Sequence, residues 1–153
     1  MLAIKKRSVT LLPCIFALFL FSCLQGYFTP AQALDGLRAA FTKHDAKLLR
    51  AVLSENSIAK MTLLRENLAS LNDKQAESAS KPYGLSGREL KSLSEEELLS
   101  IFIFWEKDVI FRGDSSIADV VESENKALVK LRNGNELDFV KEGPYWKFDL
   151  SRL

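Results

Sequence analysis

The chain has 153 residues, and its 21 basic and 20 acidic side chains leave a net charge of +1 at pH 7. This balance gives no basic surface of the kind that binds nucleic acid, so we expect no nucleic-acid partner. The length suits one domain with its own core. Both cysteines, Cys14 and Cys23, lie near the start of the chain, so the domain after them can form no internal disulfide.

The first residues have the pattern of an export signal. A cationic start, Lys5-Lys6-Arg7, is followed by an apolar block that runs from Val9 to Phe21. This block is shorter than the roughly 20 apolar residues that a membrane-spanning helix needs. We therefore predict that residues 1–33 direct the chain to the bacterial cell envelope.

Two processing sites compete at the end of this signal. Leu20-Phe21-Ser22-Cys23 resembles a bacterial lipoprotein signal, which is cut before a cysteine that carries the lipid. Ala31-Gln32-Ala33 has the small-x-small pattern of an ordinary signal peptidase site, with Pro30 expected to break any helix before it. The protein is thus predicted to be either lipid-anchored through Cys23 or soluble in the periplasm, and an uncleaved anchor is the third alternative.

Residues 34–153 are predicted to form a single α+β domain, with helices first and strands last. Asp35 is expected to cap a short first helix, and Asp45 a second one. A third helix begins at Ser57 and carries a stripe of apolar residues every three to four positions. The polar run 73–81 that follows is predicted to be a loop or a frayed helix end.

Two capping boxes follow the interruption at Pro82-Tyr83-Gly84. Ser86 with Glu89 and Ser94 with Glu97 each place an oxygen where the first free amides of a helix need an acceptor. The second box opens the most apolar helix of the domain, which includes Phe102, Ile103, Phe104 and Trp105. We expect this helix to be buried on most sides.

Four later segments predict a curved antiparallel meander on which the helices pack: 117–124, 127–132, 135–141 and 145–150. Asn133-Gly134 predicts a two-residue type I′ hairpin turn, because both residues tolerate positive φ. Glu142-Gly143-Pro144 predicts another turn. In the last strand Trp146, Phe148 and Leu150 alternate with polar residues, which indicates one apolar sheet face.

This order of elements is similar to that of the nuclear transport factor 2-like superfamily. The similarity rests on Phe41–Leu49 (FTKHDAKLL) and on Leu137–Phe148 (LDFVKEGPYWKF). It implies a cone in which the curved sheet wraps the helices. It also implies likeness to small exported bacterial members of unassigned function, often lipoproteins, and a homodimer formed through the sheet.

The chain shows no catalytic constellation. His44 is its single histidine and no cysteine lies beyond Cys23, so we expect no metal site, and the absence of a phosphate-binding glycine loop favours no cofactor. Four acids of the strands could point into the cone: Asp119, Glu122, Asp138 and Asp149. By strand alternation, Asp138 and Asp149 are expected on the solvated face.

We therefore interpret the chain as a non-catalytic ligand-binding or protein-interaction domain of the cell envelope. Its predicted contact residues are Tyr83, Trp105, Tyr145 and Trp146, and its partner is a small apolar ligand or another envelope protein. The alternative is a small acid/base enzyme of the isomerase or hydrolase type, which requires a buried carboxyl group beside a tyrosine or His44. A purely structural subunit is a third hypothesis.

Overall fold

A computed structural model describes residues 26–150 and confirms the α+β class, with helices in the first part and an antiparallel sheet at the end. The helices are α1 (Pro30–Lys43), α2 (Ala46–Val52), α3 (Glu55–Ser70), α4 (Asp73–Ser80), α5 (Gly87–Lys91) and α6 (Glu95–Ile110). A short 3₁₀ turn, Lys81–Tyr83, joins α4 to the segment before α5. The strands are β1 (Ile117–Glu122), β2 (Lys126–Leu131), β3 (Glu136–Glu142) and β4 (Tyr145–Asp149).

Helix α1 begins earlier than predicted, and the expected cap at Asp35 is wrong. Thr29 is the N-cap, because its hydroxyl oxygen accepts a hydrogen bond from the Gln32 amide at 3.2 Å. Pro30 does not break the helix but begins it, since the first helical position needs no amide hydrogen. Residue 34, the predicted start of the domain, therefore lies inside a helix.

The polar run after α3 is a separate helix, so both predicted alternatives, a loop and a frayed helix end, are wrong. Asn72 and Gln75 form a capping box that opens α4. Ala76 is fully buried, and α4 packs so closely on α5 that a Cβ at Gly87 would lie 2.8 Å from the Glu77 amide nitrogen. Tight packing at this glycine therefore stabilises, as a helix, a segment whose composition alone indicates a loop.

The caps predicted for α2, α5 and α6 are confirmed, whereas α3 begins at Glu55 after the Ser54 N-cap, two residues before the predicted start at Ser57. The Asp45 carboxylate accepts from the Leu48 amide at 2.9 Å and opens α2. The capping boxes at Ser86 and Ser94 open α5 and α6. These local signals depend on neighbours three residues apart, so they act without help from the rest of the fold.

Helix α6 departs from the prediction that it is buried on most sides. Leu98, Leu99, Ile103 and Ile110 face the core, whereas the side chains on the other face stand out in solvent. Phe104 is 67% exposed and Val109 is 60% exposed. Helices α1, α2 and α3 contact α6, and the described residues give its remaining face only partial cover.

The sheet has the order β1-β2-β3-β4, with every neighbouring pair antiparallel. Its apolar face is the predicted one, and it packs on the helices. Side chains of the last three strands fill that face: Ala127, Val129, Leu131, Leu137, Phe139, Trp146, Phe148 and Leu150. Phe41 and Leu49, from α1 and α2, belong to the same buried cluster.

The hairpin between β2 and β3 is confirmed, but its turn is not the predicted type I′. The loop spans residues 132–135, and Gly134 has a φ of +91° whereas Asn133 has no positive φ. The Asn133 side chain instead accepts from the Asn135 amide at 3.0 Å and donates to the Arg112 carbonyl at 2.9 Å. The tight two-residue turn is Gly143-Pro144, where glycine takes the positive φ of +59°.

The two outer strands differ in how their edges are covered. At β4 the Trp146 amide donates to the Tyr27 carbonyl at 2.7 Å, and the Phe148 carbonyl accepts from the Ser54 amide at 2.9 Å. The Leu150 amide donates to the Ser57 hydroxyl at 2.8 Å. Strand β1, at the other edge, is exposed from Ala118 to Glu122 and has a register irregularity between Ile117 and Asp119.

Candidate functional site

An open groove between the helices, here called the helical groove, is the best candidate site among the described residues. It encloses about 260 Å³, close to the lower end of the range for small-ligand pockets. Its lining consists of apolar and aromatic side chains with one charged residue: Met61, Leu64, Leu68, Ala79, Tyr83, Leu90, Leu93, Leu98, Ile101, Phe102, Trp105 and Glu106.

Helix geometry explains why these residues meet. Met61, Leu64 and Leu68 are three to four positions apart and share one face of α3. Ile101 and Trp105 share a face of α6 in the same way. The 3₁₀ turn at the end of α4 brings Tyr83 to the side of α6 that α1 and α2 leave open.

Two of the four predicted contact residues, Tyr83 and Trp105, lie together at this groove. Their ring centroids are 5.8 Å apart, and the rings meet edge to face at 89°. Tyr83 is 46% exposed and Trp105 is 47% exposed, so each offers ring surface to a ligand. Phe104 extends the aromatic row, with its centroid 5.8 Å from that of Trp105.

The other two predicted contact residues lie on β4, outside the groove lining. Trp146 is 1% exposed and belongs to the core, with the Lys141 ammonium 5.8 Å from its ring centroid. Tyr145 packs against Phe28 at a centroid distance of 5.3 Å. Their surroundings are those of packing residues that hold the chain ahead of α1 against the sheet.

The aliphatic part of the groove was not predicted as a site. Leu64 and Leu68 belong to the apolar stripe predicted for the third helix, yet Leu64 is 44% exposed. Helix spacing predicts which residues share a face but not whether another element covers that face. One feature of the sequence does indicate an uncovered face: α6 is apolar around more of its circumference than packing against one side of a core requires.

Polar groups at the groove do not form an acid/base arrangement. The fully buried polar residues of the described chain are three serines, Ser54, Ser57 and Ser80. His44 is exposed and ends α1 with a φ of 54°. Glu106 and Tyr83 both line the groove, but each keeps contact with solvent.

Of the acids of the strands, Asp119, Asp138 and Asp149 lie on the face opposite the apolar one. Glu122 is the register partner of Ala127 and so shares the apolar face, at the exposed end of β1. Asp119 and Glu122 are exposed on β1. Asp138 and Asp149 are register partners on the outer side of β3 and β4, where both are half-buried. Within residues 26–150, no group of three or more histidine, cysteine, aspartate or glutamate side chains is arranged to hold a metal ion.

Among the described residues, the groups with shifted pKa values are hydrogen-bonded carboxylates and one packed tyrosine. The pKa of Glu89 and that of Glu97 are lowered by hydrogen bonds from the Ser86 and Ser94 caps, first from the backbone amide and then from the hydroxyl. The pKa of Asp114 is lowered by hydrogen bonds from Ser116, first from its hydroxyl and then from its backbone amide. Burial raises the pKa of the Tyr27 phenol.

None of the helices described between residues 26 and 150 has the length and hydropathy to cross a bilayer. The apolar block from Val9 to Phe21, Cys14 and Cys23 all lie outside the described residues. No family model, curated protein or solved structure matches the chain. The similarity to the nuclear transport factor 2-like superfamily therefore stays a prediction.

Proposed function

We propose that this chain is an exported protein of the bacterial cell envelope whose domain binds an apolar ligand in the helical groove without catalysing a reaction. The ligand is a small apolar molecule or an apolar segment of another envelope protein. Export rests on the residues before position 34, and after export the protein is either anchored by a lipid on Cys23 or soluble in the periplasm.

The observation that carries this proposal is the open apolar groove with Tyr83 and Trp105 at its rim. Exposed apolar surface that surrounds a concave site is characteristic of binding sites, because covering it removes apolar area from water. Edge-to-face aromatic rings provide rigid contact area, so a ligand orders few side chains when it binds.

The groove also lacks what an enzyme of the acid/base class would use. Such an enzyme needs a carboxyl group whose environment shifts its pKa, placed beside a hydroxyl or imidazole group. The lowered pKa values belong to the capping residues Glu89 and Glu97 and to Asp114 in a turn, all outside the groove, and the groove acid Glu106 is half-exposed. The enzyme hypothesis therefore has no structural observation in its favour, and the homodimer stays a prediction from the resemblance.

Dye binding by a matched pair of variants tests the groove. Leu63 and Leu64 are neighbours on α3 and are 57% and 44% exposed, but Leu64 lines the groove and Leu63 does not. We expect Leu64→Lys to weaken the binding of the uncharged apolar dye Nile red roughly tenfold or more, because a leucine contact of about 1.5 kcal/mol or more is replaced by a charge.

The Leu63→Lys variant adds the same charge one residue away and should bind the dye like the original protein. Intrinsic fluorescence gives a second readout. The emission of the half-exposed Trp105 should shift when a ligand binds, whereas the emission of the buried Trp146 should not. Equal dye affinities for the two lysine variants would remove the helical groove as the binding site.

A further inference from the structure

The predicted cleavage motif Ala31-Gln32-Ala33 lies within the first turns of α1. Ala33 and Leu34, the two residues on either side of the predicted cut, are both 0% exposed. The Ala33 amide donates to the Thr29 carbonyl at 3.1 Å, as a regular helical hydrogen bond. The motif is therefore part of a buried helix.

The residues just before this motif hold α1 and β4 together. The Tyr27 carbonyl accepts from the Trp146 amide at 2.7 Å, which closes one position of the β4 edge. Phe28 packs its ring on Tyr145, and Gly26 lies so close to Tyr145 that a Cβ there would overlap the ring. Gly26–Thr29 thus forms a short strap across the edge of the sheet.

The Tyr27 side chain adds a second attachment. Its ring lies against Gly36 of α1, where a Cβ would overlap it, and it packs on the hydrophobic core. Burial raises the pKa of its phenol. The strap is thus attached to α1 as well as to β4, through a position where only glycine leaves room.

A cut after Ala33 would remove this strap and leave a charged group in the interior. The new α-amino group of Leu34 has a normal pKa of about 7.7–8.0 and is largely protonated at neutral pH. It would sit at the position of a fully buried residue and at the positive end of a helix, and both conditions disfavour a positive charge. The helix would lose its Thr29 cap, and the Trp146 amide its partner.

We infer that the exported protein retains Gly26–Ala33 and that its signal is removed by hydrolysis of a peptide bond upstream of Gly26. In that step water adds a hydroxyl group to the carbonyl carbon of the severed bond and a proton to the new amine. The inference rests on the proposed export. Of the two predicted processing sites, it selects the one before Cys23.

The test is the first residue of the exported protein. The full chain, with a C-terminal tag, is produced in a bacterium with two membranes, purified from the envelope fraction and analysed by mass spectrometry of its N-terminal peptide. We expect a processed chain that begins upstream of Gly26. An envelope protein that begins at Leu34, or one that is not cut, overturns the inference and leaves the export proposal standing.

A variant of the rejected site sharpens the result. Ala31 is half-exposed, so Ala31→Gln removes the first small residue of the motif without disturbing the core. It should leave the position and yield of cleavage unchanged, whereas accumulation of uncut precursor would mean that the peptidase uses Ala31-Gln32-Ala33. Uncut chain found only in the cytoplasm would instead contradict export itself.

Discussion

At the scale of single residues, Ser57 shows how one hydroxyl group joins a helix to the sheet. It is fully buried at the start of α3, where its oxygen accepts from the Leu150 amide at 2.8 Å and lies 2.8 Å from the Ser54 oxygen. A serine is small enough to enter this junction. Its hydroxyl can also accept and donate at the same time.

We expect Ser57→Ala to lower the free energy of unfolding by about 1–3 kcal/mol, because the buried Leu150 amide loses its hydrogen-bond partner. Urea unfolding measures this change. Ser70→Ala is the control, since Ser70 is exposed near the other end of the same helix and bonds the Asn67 carbonyl there. Equal effects of the two changes would contradict this role of Ser57.

The capping glutamates predict a pH dependence. The pKa of Glu97 is lowered in the folded state, so its contribution to stability is present above the unfolded value of about 4.3 and is lost as the pH falls through the lower folded value. Glu97→Gln keeps a side chain that can complete the capping box but cannot ionise. Stability measured by urea unfolding should therefore fall less steeply between about pH 5 and pH 3 in this variant.

The matched control for this prediction is Glu96→Gln. Glu96 lies in the same helical turn, is exposed and takes no part in the Ser94 capping box. Glu96→Gln should leave the loss of stability between about pH 5 and pH 3 as it is in the original protein. If both variants reduce the acid-side loss of stability equally, the effect comes from the net charge and not from the cap.

At the scale of elements, the hairpin between β2 and β3 caps the end of α6. The Asn135 side-chain amide donates to the carbonyls of Val109 and Ile110 at 2.7 and 2.8 Å, and Asn133 also donates to Ile110. The last carbonyls of a helix have no partner inside it. Two asparagines from another element supply those partners here.

We expect Asn135→Ala to destabilise the protein by about 1–3 kcal/mol, because two helix-end carbonyls lose a donor and the hairpin loses its tie to α6. Thermal unfolding followed by circular dichroism tests this. Asn125→Ala is the matched control, since Asn125 is exposed in the β1–β2 loop and its carbonyl, which the change preserves, accepts from the Lys141 amide. A loss at Asn125 as large as that at Asn135 would count against the capping role.

At the scale of the whole molecule, the sheet has one closed edge and one exposed edge strand. Tyr27, Ser54 and Ser57 cover β4, whereas β1 is exposed over five of its six residues, and Val121 is 54% exposed. The acids Asp119 and Glu122 and the register irregularity are features that discourage edge-to-edge pairing.

Hydrogen exchange should reveal this difference. The amide of Trp146 in β4 and that of Leu150, just after β4, are bonded to other elements. They should exchange at least about 100-fold more slowly than the amides of β1 that are not bonded to β2. Exchange followed residue by residue by NMR provides the rates. Comparable protection at both edges would mean that β1 is covered in solution, for example by a second copy of the chain.

The sequence by itself determined the class, the placing of helices before strands, and the caps of α2, α5 and α6. Capping at Asp45, Ser86 and Ser94 depends on residues three positions apart, and the alternation of Trp146 and Phe148 follows from the period of a strand. Such features involve near neighbours, so their chemistry is visible in a linear chain.

Only the tertiary structure decided which apolar faces are covered and that the residues just before the predicted cut after Ala33 belong to the fold. The α6 face with Trp105 stays open because the surrounding helices do not reach across it. Gly26–Thr29 belongs to the fold because it finds partners on β4, more than a hundred residues later. Burial depends on contacts between distant elements, and the hydrophobic pattern of one segment carries no information about its partner.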